Sequence, residues 1–121
     1  MRNFKELTIW QKSYALTLQV YEATSSFPKE EIFGLTSQIR RSSTSVAANI
    51  AEGCGYESNL QFMRFLAMAS GSASELDCHI RLSRDLGFIS ESTYEKLQVN
   101  ITELRKMLFV FTKSIKWRAK T

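Results

Sequence analysis

Cysteines and a histidine are where covalent or metal chemistry would start, and this chain has three such residues: Cys54, Cys78 and His79. Zinc needs four ligands at short, fixed spacings; these residues make no CxxC pair and no zinc pattern. Both cysteines read as reduced, partly buried thiols. A nucleophile needs a base that a third group orients, and a lone histidine among helix-seam neighbours reads as structural. Glu52 and Glu75 become a carboxylate pair if the second and third helices lie side by side. Their better use is pairing with Gln38 or Arg41, closed by Asn49 and Ser72, because a satisfied polar network fixes how helices meet. Gly53-Cys54-Gly55 lacks the strand and the lysine of a phosphate loop. We therefore expect no enzyme, no metal, no cofactor and no small-molecule substrate.

Charge is the remaining chemistry. After Glu103 the chain has no acid, while Arg105, Lys106, Lys113, Lys116, Arg118 and Lys120 follow. Lys106, Lys113, Lys116 and Lys120 recur at steps of seven, three and four, so they share a helix face, with Phe109 and Trp117 interleaved. Lysines of this kind hold phosphates and aromatic rings stack bases. Arg40 and Arg64 extend the candidate nucleic-acid surface. Favourable charge at a helix C-terminus, together with solubility, accounts for the same pattern. The net charge of +4 permits nucleic-acid contact without demanding it.

These residues must be positioned by helices, and one helix organises the rest. From Phe33 to Gly53, Leu35, Ile39, Val46 and Ile50 fall on one stripe at 100° per residue. Beside it runs a second row, Gln38, Arg41, Ser45, Asn49 and Glu52, where an ordinary surface helix would place its polar residues opposite the apolar face. A third face is mostly small: Ser37, Ser43, Thr44, Ala47, Ala48 and Ala51, with Arg40. Such a helix reads as wedged between neighbours, one set from its own bundle and the other from another subunit. The Gln38-to-Glu52 row is expected to be hidden from water.

Around it, Leu7, Trp10, Tyr14, Leu18 and Tyr21 give a first helix its apolar face. Phe62, Leu66, Ala69, Ala73, Leu76 and Ile80 mark a third, widened by Phe65 and Met68 and started by the Ser58–Gln61 capping box. Gly71 in its middle predicts a close helix crossing. Tyr94, Leu97, Ile101, Leu104, Leu108, Phe111 and Ile115 mark a fourth, with Ser92 and Glu95 as a second capping box. Gly53 and Gly55 are expected in the left-handed conformation that ends helices. The pattern predicts helices over 7–25, 29–54, 58–86 and 91–117, with a frayed end after Trp117. With 121 residues this is a single all-α domain, 1–121, an antiparallel up-down four-helix bundle. No run of about 18 apolar residues occurs and the first residues form no signal region, so no membrane is expected and the location read is cytoplasmic.

The segments FxELxIWQK, FPKEEIFGLTSQIRRSSTSVAANIAEG and FxRFLAMASGSASEL resemble the bacterial four-helix-bundle proteins of the 23S rRNA intervening-sequence family, also called S23 ribosomal-protein-like. The resemblance spans about residues 4–116. It implies a homopentameric ring and no known enzyme activity. A related branch comprises the accessory variability proteins of diversity-generating retroelements, which are strongly basic and work with nucleic acid. Two functions then compete: an oligomer that binds RNA or DNA through phosphate contacts, and a scaffold ring that docks a partner protein without nucleic acid.

Overall fold

The computed structural model describes the backbone of residues 2–120 and the side chains through Lys116. Among the described residues there are four α-helices and no strand: α1 Thr8–Thr24, α2 Leu35–Cys54, α3 Asn59–Asp85 and α4 Glu91–Lys120. Short 3-10 turns at Phe4–Glu6 and Lys29–Glu31 precede α1 and α2. Each helix packs on its two neighbours in the order α1, α2, α3, α4 and back to α1. The result is an antiparallel bundle around one core.

Three of the four apolar rows face that core. Ile39, Val46 and Ile50 of α2, Phe62, Leu66, Leu76 and Ile80 of α3, and Ile101, Leu104 and Leu108 of α4 are all buried. α1 is the exception. Its buried row is Ile9, Ser13, Leu16, Val20 and Thr24, while Tyr14, Leu18 and Tyr21 are exposed. The row of large residues was the wrong guide because α1 lies close to α2: the Thr17 hydroxyl donates to the Ser43 backbone carbonyl at 3.1 Å. Small hydroxyl residues suit such an approach, since they satisfy themselves on their own helix. Ser13 Oγ donates to the Trp10 carbonyl at 2.9 Å and Thr24 Oγ1 to the Val20 carbonyl at 2.8 Å.

The helix ends differ from expectation in three places. α2 does not run back to residue 29: Glu31 Oε2 accepts from the Leu35 amide at 3.0 Å and starts the helix there, leaving Phe33 in the turn at 94% exposure. Gly53 lies inside α2 and Gly55 has φ −76°, so neither is left-handed. Gly53 is glycine for closeness: a Cβ there would lie 2.8 Å from Phe65 Cβ and 2.9 Å from Phe62 Cδ1. The left-handed glycine is Gly87, φ 76°, where the Phe88 amide reaches back to the Ser83 carbonyl at 2.9 Å and closes α3. Finally, α4 is capped by Ser90 rather than Ser92; its Oγ accepts from the Thr93 amide at 3.1 Å. Ser58 caps α3 as the sequence predicts, accepting from the Gln61 amide.

The bundle is closed at both ends by aromatic contacts. Phe27 and Phe88 meet at 5.5 Å at one end. At the other, the Arg2 amide donates to the Cys54 carbonyl and its guanidinium lies 4.2 Å over the Phe62 ring, so the N-terminal arm straps the α2–α3 connection.

Candidate nucleic-acid interface

α4 is the longest helix, and its register decides which of its cations reach solvent. Tyr94, Leu97, Ile101, Leu104, Leu108 and Ile115 turn inward. Helical spacing then sends Lys106, Lys113 and Lys116 outward, and all three are exposed. Phe109, 60% exposed, stands among them with the Lys113 ammonium 4.6 Å over its ring. An ammonium held on an aromatic face leaves the other face of the ring open to a base. The nearest acid on α4, Glu103, is held at 2.7 Å by Lys12 of α1, which draws its charge away from the strip.

The other cations predicted for this surface differ from these three. Arg105 is exposed beside Lys106 and Phe109 and is engaged across the helix pair, donating to Asp77 Oδ2 of α3 at 2.8 Å. Arg40 folds onto α1: its Nε donates to Thr24 Oγ1 at 2.9 Å and its guanidinium lies 4.6 Å over the Tyr21 ring. Arg64 is exposed on α3 rather than α4. Arg118 and Lys120, with Trp117, lie outside the described side chains. Among the described side chains, Lys106, Lys113 and Lys116 around Phe109 therefore make the part of the strip that no ion pair engages.

The contact that sets the strip's orientation was not read from the sequence. Asp77, 7% exposed, accepts from Arg81 at 2.8 Å, from Gln98 at 3.1 Å and from Arg105 at 2.8 Å. Burial pushes the Asp77 carboxyl up. The hydrogen bonds from Arg81 and Gln98, with the charges of Arg81 and Arg105, outweigh it and hold the group below the usual carboxylate range. This cluster ties α3 to α4 at the height where the strip begins. Its one sequence signal is the i,i+4 pair Asp77–Arg81 beside Leu76 of the apolar row.

The predicted polar row of α2 faces α3, in two pieces. Ser45 Oγ and Ser72 Oγ lie 2.8 Å apart, and the Asn49 amide donates to the Ser45 carbonyl and hydroxyl at 2.8 and 3.0 Å. Nearer the start of α2, Arg41 donates to Gln38 at 2.7 Å and stands 3.9 Å from Glu75. Glu52 joins neither piece and has no ion-pair partner among the described residues. Gln38, Arg41 and Glu52 are exposed, so within one chain this row is not hidden from water; only Asn49 is buried, with Ser45 and Ser72 half-buried. Helical spacing puts this row at the edge of the α2–α3 contact, and its long side chains reach solvent.

The Cys54 thiol is buried and pushed up by that burial, with the nearby Arg2 charge opposing it, so it is protonated at neutral pH. Cys78 is exposed one residue before His79 and both lie on α3. Among the described residues no cluster of three His, Cys, Asp or Glu stands ready for a metal ion, and no helix is long and apolar enough to cross a membrane.

Similarity to known proteins agrees with this fold. Curated proteins give no match. A solved structure at 1.70 Å, of a protein of unknown function from the S23 ribosomal protein family of Bacteroides thetaiotaomicron, superimposes with a TM-score of 0.79. The two sequences are 27% identical over 88% of this chain and 99% of that one. The description of 23S rRNA-intervening sequence proteins fits residues 5–110, which takes in all of α1, α2 and α3 and most of α4. The chain with the lysine strip on α4 and the polar row on α2 thus belongs to the 23S rRNA-intervening sequence protein family.

Proposed function

We propose that this protein is a non-enzymatic, cytoplasmic bundle that assembles with copies of itself and binds nucleic acid, RNA first, through phosphate contacts along α4. One observation carries the reading. Lys106, Lys113 and Lys116 project from one side of α4 around an exposed phenylalanine, and the nearest acid on α4, Glu103, is already paired. Three lysines read no sequence; they hold a backbone while the ring stacks a base. The family description, tied to 23S rRNA, supports a structured RNA as the partner.

Assembly strengthens such a weak patch, because linked copies gain avidity wherever one ligand spans them. The resemblance implies a ring of five. A head-to-tail ring needs two different faces on each copy, and the exposed Tyr14, Leu18 and Tyr21 of α1 supply an apolar one. That same face favours a second reading, a ring that docks a partner protein without nucleic acid.

Binding to a structured RNA measured across salt separates the two. Phosphate contact gives a linear fall of log affinity with log salt, about 0.7–0.9 per contact, so neutralising Lys106, Lys113 and Lys116 together lowers the slope by about two to three. A flat salt response, or binding unchanged in that triple variant, overturns the nucleic-acid reading. A protein partner recovered after nuclease treatment favours the scaffold.

A further inference from the structure

The α3–α4 pair is tied at two heights and open between them. At one height Asp77 of α3 holds Gln98 and Arg105 of α4. At the other the Phe62 and Phe111 rings meet edge to face at 5.8 Å. Between the ties α3 turns Ala67, Ser70 and Ser74 toward α4, and none is long enough to cross to it. The space left is a surface groove of about 650 Å³, within the range of about 300–1,000 Å³ that small-ligand sites occupy.

Three properties of this groove belong together. Its walls on α4 are Phe109 and Val110, 60% and 66% exposed, a flat ring and a branched aliphatic that the bundle leaves uncovered. Its other polar groups are hydroxyls, among them Ser70 of α3 and Thr112 of α4, and Thr112 Oγ1 is buried with no hydrogen-bond partner among the described residues. Its charges are Arg105 and Lys106, and no acid lines it. The next groove along α4 shares Lys106 but is lined by Glu95 and Glu103, so it repels phosphate.

A nucleotide meets all three properties, with a flat ring, a polar edge and phosphates beside it. An aliphatic side chain from a protein would use the walls and strand the hydroxyls. A continuous duplex, whose bases are stacked and paired, would use only the cations. The Lys113 ammonium lies 4.6 Å over the Phe109 ring from the following turn and does not line the groove, so the groove side of the ring is left for stacking.

We propose that this groove takes one unpaired base of an RNA: the base stacks on Phe109, its polar edge meets the Ser70 and Thr112 hydroxyls, and its flanking phosphates lie on Lys106 and Lys113. The inference rests on the phosphate-binding reading and deepens it by naming the RNA by its structure, a strand with a bulged, looped or terminal base in place of an uninterrupted duplex. The lysines set the salt dependence; the groove sets the choice among RNAs.

The test compares three RNAs bound by the full chain at one salt concentration: a continuous duplex, the same duplex with one bulged adenosine, and the same bulge with an abasic nucleotide. The last two carry equal charge and differ by the base alone. The bulged adenosine binds about tenfold or more tighter than the other two. Phe109→Ala removes that preference and leaves binding to the duplex within about twofold. Ala67→Leu, at an exposed helix position, fills the groove and does the same, with circular dichroism and the thermal midpoint unchanged. Equal affinity for the three RNAs overturns the base site while phosphate binding stands. A Phe109→Ala chain that weakens on all three alike overturns it too, since the ring then only supports the lysines. An Ala67→Leu chain that keeps the preference, with or without a lower native mass, takes the base out of the groove. An unmodified chain that binds none of the three at low salt overturns the phosphate reading, and the base site with it.

Discussion

α1 and α4 carry equally regular apolar rows, and they use them in opposite ways. In α4 the row Tyr94, Leu97, Ile101, Leu104, Leu108 is buried; in α1 the row Tyr14, Leu18, Tyr21 stands in solvent and a row of smaller residues takes the core. Periodicity locates a face and says nothing of what covers it. Cutting the two rows separates them most clearly. Leu104→Ala removes a side chain that is 1% exposed and costs about 2–5 kcal/mol, read as a lower urea midpoint. Leu18→Ala, at a position 60% exposed, changes the unfolding free energy by less than about 0.5 kcal/mol at a dilution where copies separate. Its effect grows with protein concentration if a second copy covers α1.

The next largest effect lies in the polar contact that orients α4. Asp77→Asn keeps the shape and removes the charge that Arg81 and Arg105 face, a loss of about 1.5–3 kcal/mol at pH 7. The sign with pH follows from the carboxyl's lowered position. A folded-state value below the unfolded one, about 3.9, means the stabilisation is full above that value and disappears as pH falls through the folded one. The gap between Asp77→Asn and the unmodified chain is therefore level from pH 5 to 8, begins to shrink below the unfolded value of about 3.9, and closes at more acid pH, below the folded-state value. A gap that persists in acid means the amide itself packs badly and the charge is not the cause.

Two glycines sharpen the same contrast between inside and outside. Gly53→Ala forces a methyl to within 3 Å of two phenylalanines and costs about 1–3 kcal/mol. Gly71→Ala adds a methyl to open space and a better helix former, a gain of about 0.8–1 kcal/mol in the separated chain. Thermal midpoints moving in opposite directions are the expected result.

Most of the bundle was legible because three helices obey one rule: a heptad-spaced aliphatic row faces the core. What was missed shares a physical cause. The face of α1 was misread because Ser13 and Thr24 look polar in sequence, yet their hydroxyls close on their own helix and allow α2 to come near. Gly53 makes the close approach expected of Gly71, Gly71 faces open space, and Gly87 takes the left-handed turn expected of Gly53 and Gly55, since a glycine that admits a neighbour and one that bends the chain look alike until the neighbour is placed. The candidate site was legible as a charge pattern, Lys106, Lys113 and Lys116 on one face. Which cations were free was not, because Arg40 and Arg105 are engaged by partners 16 and 28 positions away.

The smallest effect comes from the one ion pair that joins α1 to α4 among the described residues. Lys12 and Glu103 stand 2.7 Å apart with each side chain nearly half exposed, so solvent screens most of their attraction. Glu103→Gln costs less than about 1 kcal/mol of stability, and less still in high salt. Its effect on nucleic acid runs the other way. Removing the carboxylate frees the Lys12 ammonium and leaves α4 without an acid from position 103 to the end, so RNA affinity rises at low salt while stability barely moves. Loss of stability and of RNA binding together would make the pair a structural tie. A gain in binding at almost unchanged stability assigns Glu103 to the edge of a surface whose work is electrostatic, and draws the line between α1, which packs, and α4, which meets the ligand.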